Sequence, residues 1–456
     1  MWRNAILFTI ILSLVATPYG VADTITVAKS GGDYATIGAA MNVAKAGDTV
    51  LVKEGTYRET VRLKDGVTLK GEKRDDCIII GPKDNAVVAK GLKAAAIKDL
   101  TLRYSAGARR RGSKLKERDV LYIYNSTATI EGCLVERATG SGIMVVGSKS
   151  EVTIRNNTCR KNRRWGILLQ KGTCGTIDGN ACDNNGYTGI AAYGKGTRAV
   201  VSDNTCASND MNGVFFRFGA TGTIRGNTCH SNGLDGIIVS GVGAAPKVIS
   251  NRCEKNGERG LFVAKGAGGT LEGNTCEANG ASGIAVCGTR TSPLLRANVC
   301  RGNRESGIYV FAQASGSIDR NICEGNGYDG IAVSDPGTVP IVRANFSQHN
   351  FCGLRVYDHA SPRVTLNIFI LNRKGICNGR ITDRPDGDLA DLSYNCVWGN
   401  SVFNYELCAP GGLDIQQDPR VLKQQDGSYR LAPGSPCLRA GPKGENIGGL
   451  DVATDK

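Results

Sequence analysis

Four residues near position 355 carry side chains suited to one kind of proton chemistry. Arg355, Tyr357, Asp358 and His359 supply a cation, a phenol, a carboxylate and an imidazole within five residues. An enzyme that cleaves or epimerises a uronate must neutralise a carboxylate, remove the proton beside it and manage the leaving group or the reprotonation. These side-chain types suit those tasks. The competing reading is local: Asp358 and His359 pair with each other in a turn. A second gathering, Tyr193, Phe215 and Arg217 with Lys171 and Lys195, offers rings on which sugars stack and cations that hold an anion.

What positions these residues is a repeat. The motif Asn-x-Cys-x-x-Asn, then three residues, then Gly and an aliphatic residue recurs with Cys at 159, 182, 206, 229, 253, 276, 300 and 323, and Cys133 precedes these copies. After a first gap of 26 the steps alternate between 23 and 24, and Ser347 and Phe369 occupy the Cys place in two further copies. Each unit holds short β-branched runs broken by Asn-Gly and Gly-rich turns, with no stretch long enough for a helix. The Leu-x-x-Leu-x-Leu frame of leucine-rich repeats is absent. A coil of short parallel strands, stacked about 4.8 Å per turn, is what remains. The Asn columns then form amide ladders, and the Gly column marks unusual dihedrals or close approach.

Strand alternation places the second and fourth residues past each Gly on the outside. That face holds Phe215, Phe262, Tyr309 and Arg355 in one row and Tyr193, Arg217, Phe311 and Tyr357 in the other. It is too apolar and aromatic for plain solvent, so it is read as a sugar-stacking groove or as a face covered by a loop or partner. Asp335, Tyr309 and Phe311 join the cluster around Arg355. Arg217 and Tyr357 lie six coils apart, about 29 Å, so they contact different units of one long polymer rather than one reacting centre.

On these motifs the chain resembles the right-handed parallel β-helix proteins of the pectin-lyase-like superfamily, over about Asp23 to Asn400. The opening segments Thr24–Lys29, Asp33–Ala40, Ala46–Val50 and Gly55–Glu59 resemble the start of pectinesterases, and Tyr429–Cys437 resembles the closing segment of secreted β-helix proteins. The resemblance implies an all-β, single-stranded right-handed parallel β-helix with a capping helix over Thr36 to Ala46 and an irregular C-terminal cap. The expected organisation is a signal peptide over 1–22, an N-terminal cap and first coils over 23–95, repeats over 96–400 and a cap over 401–456. Val356-Tyr357-Asp358-His359 resembles the Asp-Pro-His-Asp strand of alginate epimerases but lacks its proline and second aspartate. No Gly-x-x-Asp-Phe-Ile-Phe-Gly segment is present, so a pectinesterase aspartate is not carried over.

Composition sets the surroundings. Arg3, the apolar run Ala5 to Ala16 and Gly20-Val21-Ala22 read as a secretory signal cleaved after Ala22, which makes the protein periplasmic or secreted. No later run is long enough to span a bilayer as a helix. A net charge of +14 and the basic stretch Arg109-Arg110-Arg111, Lys114, Lys116 and Arg118 point to an acidic partner, an acidic polysaccharide or cell-surface glycan. Nucleic acid is disfavoured by export and by the lack of a reader motif. The expected state is a monomer. Calcium is considered at turn acids such as Asp235 and Asp329, without a clustered loop pattern, and no metal-ligand set is assigned. The ladder thiols are read as reduced core, because aligned Cβ atoms about 4.8 Å apart exceed disulfide reach. Cys396, Cys408 and Cys437 are disulfide candidates with the pairing open. The functional expectation is an exported binder of anionic polysaccharide, with lyase or epimerase activity as its catalytic form. The rivals are a non-catalytic surface solenoid and an accessory protein resembling the β-helix component of nitrous-oxide-reductase maturation.

Overall fold

A computed structural model of the chain describes residues 22–82, 84–104, 117–379, 385–389 and 391–453. The expected signal peptide, apart from Ala22, and the basic residues Arg109 to Lys116 lie outside the described residues. Successive strands go in turn to three sheets, so each coil contributes one strand to each. One sheet of 16 strands begins at Thr24–Val27 and ends at Leu392–Ser393. A second, here the site sheet, has 15 strands from Val61–Arg62 to Phe403–Glu406. The third, the cysteine sheet, has 15 strands from Gly55–Tyr57 to Cys396–Trp398. Neighbouring strands in all three are parallel, and the chain is a single-stranded right-handed β-helix.

The repeat sets the register. Cys159 pairs with Cys182, Cys182 with Cys206, and so on to Cys323 with Ser347 and Ser347 with Phe369. All of these side chains point inward and are buried. Cys133 departs from this column, because Val135 is the residue opposite Cys159. Cys133 stands in the Asn column instead, where its N–H donates to Asn157 Oδ1 at 2.9 Å, and this accounts for the first gap of 26.

Two Asn ladders run along the coil. In the first, Asn251 Nδ2 donates to Asn274 Oδ1 at 2.9 Å while also donating to the carbonyls of Ile224 and Ile249. In the second, Asn256 Nδ2 donates to Asn279 Oδ1 and to the Cys229 carbonyl. Each amide therefore satisfies turn carbonyls that the parallel strands cannot reach. The Gly column answers to close approach rather than to a left-handed backbone. A Cβ on Gly236 would lie 2.6 Å from the Gly260 carbonyl oxygen and 2.9 Å from Cys253 Cβ.

Both ends of the core are covered. The capping helix spans Ile37–Val43, with Thr36 as its N-cap and Ile37, Ala40 and Met41 buried. Glu59 accepts hydrogen bonds from the N–H groups of Ile37 and Gly38 at 3.0 and 2.8 Å, placing a carboxylate on the positive end of the helix. Towards the C-terminus, chain beyond residue 418 turns back over the outer side of the cysteine sheet. Tyr429, Leu431, Cys437 and Ile447 pack there on Phe346, Ile368 and Cys396. Arg343 pairs with Glu445 at 2.9 Å and Lys423 with Glu324 at 3.2 Å. Cys396 and Cys437 meet in this packing as free thiols, while Cys408 lies apart, half-buried near Ile376.

The disulfide present among the described residues joins a different pair, Cys352 to Cys377. They sit on adjacent site-sheet strands but out of register, since Cys352 faces Lys374 and Cys377 faces Arg355. This diagonal offset avoids the parallel alignment that keeps the ladder thiols unbonded. No helix of the described residues is long and apolar enough to cross a membrane.

Candidate functional site

The site sheet carries the outward row expected from strand alternation. Leu168, Ala191, Phe215, Ile238, Phe262, Ala285, Tyr309, Ala332 and Arg355 are successive partners in register. Inward neighbours such as Ile190, Ala192, Phe216 and Val310 are fully or almost fully buried.

Near the C-terminal end of this row lies an open groove of about 620 Å³ walled by Tyr309, Tyr328, Phe351 and Tyr357, with Arg355 and Asp329 at its base. Arg355 Nε lies 3.1 Å from both carboxylate oxygens of Asp329, one coil earlier, and the two side chains are only 11% and 7% exposed. Burial pushes the Asp329 carboxyl up and Arg355 pulls it back down. The Arg355 guanidinium also stands 5.3 Å from the Phe351 ring centre and 3.3 Å, through Nη2, from Cys352 Sγ. Tyr357 donates its hydroxyl proton to Tyr309 at 3.2 Å, and the Tyr309 and Ser334 hydroxyls are 2.9 Å apart. Burial first, and the Tyr309 hydroxyl second, hold the Tyr357 phenol above its ordinary range. It is therefore protonated at neutral pH and acts as a donor.

The structure brings Arg355, Tyr357 and Tyr309 together and keeps Asp358 and His359 apart from them. Asp358 and His359 occupy the turn after the strand, at φ of 53° and 60°, outside the groove lining. The His359 N–H bonds to the Asp386 carbonyl. Phe311 stacks on Tyr309 with centroids 4.4 Å apart. Asp335 caps a turn by accepting from the Ala312 N–H at 2.8 Å.

Towards the N-terminus the second cluster is larger than the sequence suggested. Tyr193 contacts Phe215 edge-on at 5.3 Å and Trp165 at 5.9 Å, and Trp165 in turn contacts Tyr187 at 5.2 Å. Arg217 lies over Phe218 at 4.0 Å and near Phe215 at 5.6 Å. Its Nε is buried without a hydrogen-bond partner. Among the described residues, none of Arg217, Lys171 and Lys195 is held in an ion pair, unlike Arg259 and Arg355. Phe262, between the two clusters, is covered by Arg259 at 4.3 Å.

Asp235 and Asp329, considered for calcium, are engaged otherwise. Asp235 accepts from the Arg259 backbone N–H at 3.2 Å and from its guanidinium at 3.4 Å. Burial pushes the Asp235 carboxyl up to about 6 despite Arg259. The charge signal was present in the sequence: each acid has an arginine one coil further on. Trp165, Tyr187 and Phe351 were missed because they precede the Gly column, outside the two outward rows.

The family described as right handed beta helix region matches residues 141–298 and 235–381, which together exceed half the chain. The chain belongs to the right-handed β-helix family. Its architecture is of the pectin-lyase-like kind. The description "Periplasmic copper-binding protein (NosD)" matches residues 41–214 of this β-helix protein, less than half. Among the described residues no group of three or more His, Cys, Asp or Glu is arranged to hold a metal. The thiols in that span are mostly inward and sealed, so this donor set does not fit a copper centre.

Solved structures similar to the chain include the A-module of the mannuronan C-5 epimerase AlgE4 of Azotobacter vinelandii, at 16% identity, 87% coverage of this chain and 100% of that one, with a TM-score of 0.44. The periplasmic alginate epimerase AlgG is 15% identical, covering 69% and 73%, with a TM-score of 0.41. The catalytic domain of a GH87 α-1,3-glucanase in complex with nigerose is 13% identical, covering 85% and 68%, with a TM-score of 0.44. At these levels the likeness is one of coiled architecture. No curated protein matches the chain by sequence.

Proposed function

We propose that the protein is exported and binds an acidic polysaccharide along the outer face of the site sheet. The observation that carries this reading is Arg217. It is a partly buried guanidinium, set among Phe215, Phe218 and Tyr193, whose Nε has no partner and whose charge has no carboxylate among the described residues. Burying an unpaired cation is costly, so a site that holds one open is built for an anion supplied from outside. The rings around it give a sugar an apolar surface, and the +14 net charge attracts acidic chains from a distance.

Binding is better supported than uronate cleavage or epimerisation. Either reaction needs a base beside the abstracted proton and a free cation on the carboxylate. At the groove, Asp329 already neutralises Arg355, the Tyr357 phenol stays protonated, and His359 is exposed on the turn beyond. Arg355 and Tyr357 then serve to orient a sugar rather than to react with it.

A second reading, favoured by the match over residues 41–214, is an accessory role for the coil in maturing a periplasmic enzyme. One screen separates polysaccharide binding from lyase activity. Pectate, alginate and glycosaminoglycans are tested for retardation of the protein in affinity gels and for absorbance of unsaturated products. The expected result is retardation without new absorbance. Absorbance would establish a lyase, and no retardation on any polymer would remove the polysaccharide reading.

A further inference from the structure

The outward row of the site sheet has a period longer than one coil. Phe215, Phe262 and Tyr309 are each 47 residues apart, which is two coils, and register makes them every second member of one continuous row. Each ring is half-buried, Phe262 with the Arg259 guanidinium 4.3 Å over it, whereas Ala285 and Ala332, on the coils that follow Phe262 and Tyr309, are at most 2% exposed; Ile238, between Phe215 and Phe262, is an aliphatic residue and half-buried as well. The row continues in phase to Arg355, two coils beyond Tyr309. An aromatic ring therefore recurs about every 9.6 Å, twice the strand spacing, with aliphatic residues between.

Resting on the polysaccharide reading above, we propose that this row selects acidic chains that present the same face every second sugar. These are twofold ribbons or disaccharide-repeat polymers. One extended pyranose advances a chain by about the rise of one coil, so such a polymer meets a ring with each sugar pair and stays in phase along the row. A chain with a threefold screw turns a different face to each ring and loses phase after the first contact. Arg217 fixes the anionic end of the register beside Phe215, and the Tyr309–Tyr357 groove receives the sugars four to six coils further on.

The test compares two oligosaccharide series of matched length, four to twelve sugars. Hyaluronan fragments have a disaccharide repeat, and oligogalacturonides have one acid per sugar. Hyaluronan fragments should gain affinity in steps of one disaccharide until they span the row, while oligogalacturonides should show no such steps. Phe262→Ala, with Phe262→Leu as a variant that keeps volume without the ring, should weaken long hyaluronan fragments about tenfold. Ile238→Ala, on an intervening coil, should leave them unchanged. Affinity that grows evenly in both series, or equal effects of Phe262→Leu and Ile238→Ala, would overturn the two-coil register and leave polysaccharide binding standing. Failure of both series to bind would overturn both.

Discussion

Arg355 and Asp329 form a nearly buried ion pair across adjacent coils, with the guanidinium Nε 3.1 Å from each carboxylate oxygen. The pair sits at the base of the groove and sets its electrostatics. A cation that looked available for a substrate carboxylate is balanced from within the fold.

Removing one partner of such a pair leaves the other charge buried alone. Arg355→Ala should cost about 3–5 kcal/mol of unfolding free energy. The double variant Arg355→Met with Asp329→Asn should recover most of it. Urea unfolding of the single and double variants measures this, and equal stability of the single variant and the wild type would show that the pair is not held as described.

The acid at Asp235 predicts a pH dependence. Its carboxyl is held up to about 6, above the ordinary value of 3.8, because burial outweighs Arg259. The folded protein therefore binds this proton more tightly than the unfolded chain. Its stabilising contribution is complete below about 3.8 and is lost as pH rises to about 6, with a slope of at most about 1.4 kcal/mol per pH unit. Asp235→Asn should remove that slope, which a comparison of unfolding free energies between pH 4 and 7 would reveal.

Each ladder asparagine holds several buried groups at once. Asn251 donates to two carbonyls and to Asn274 while accepting from the backbone and side chain of Asn227. Asn251→Ala should cost about 3–5 kcal/mol, since it strands both donors and acceptors in the interior. Hydrogen exchange should show the loss centred on the coils flanking residue 251.

The fold was largely legible because a coil with one residue per column repeats its constraints many times. Cys182, Asn180 and Gly189 recur in phase with their counterparts, and phase alone gives the parallel register. Where only one copy exists, the signal fails. Cys133 lies two residues off the ladder, and Val135 holds the register position. The Cys352–Cys377 bond escaped because it runs diagonally between columns. Phe346 and Ile368 are covered by Tyr429 and Ile447, and nothing periodic in the repeat announces that cover. At the site, residue types were readable and their engagement was not. Asp329 looked like a turn acid until the coil placed it against Arg355, and Asp358 and His359 looked convergent until the turn carried them outside the groove lining.

The most direct test of the account is calorimetric titration of the protein with an acidic polysaccharide at low and moderate salt, comparing wild type with Arg217→Gln. Arg217 makes no ion pair among the described residues, so the variant should keep the wild-type unfolding free energy to within about 1 kcal/mol. Wild-type binding should weaken as salt rises, with a loss of about tenfold or more in Arg217→Gln. Binding of equal strength in both proteins, or none in the wild type, would contradict it.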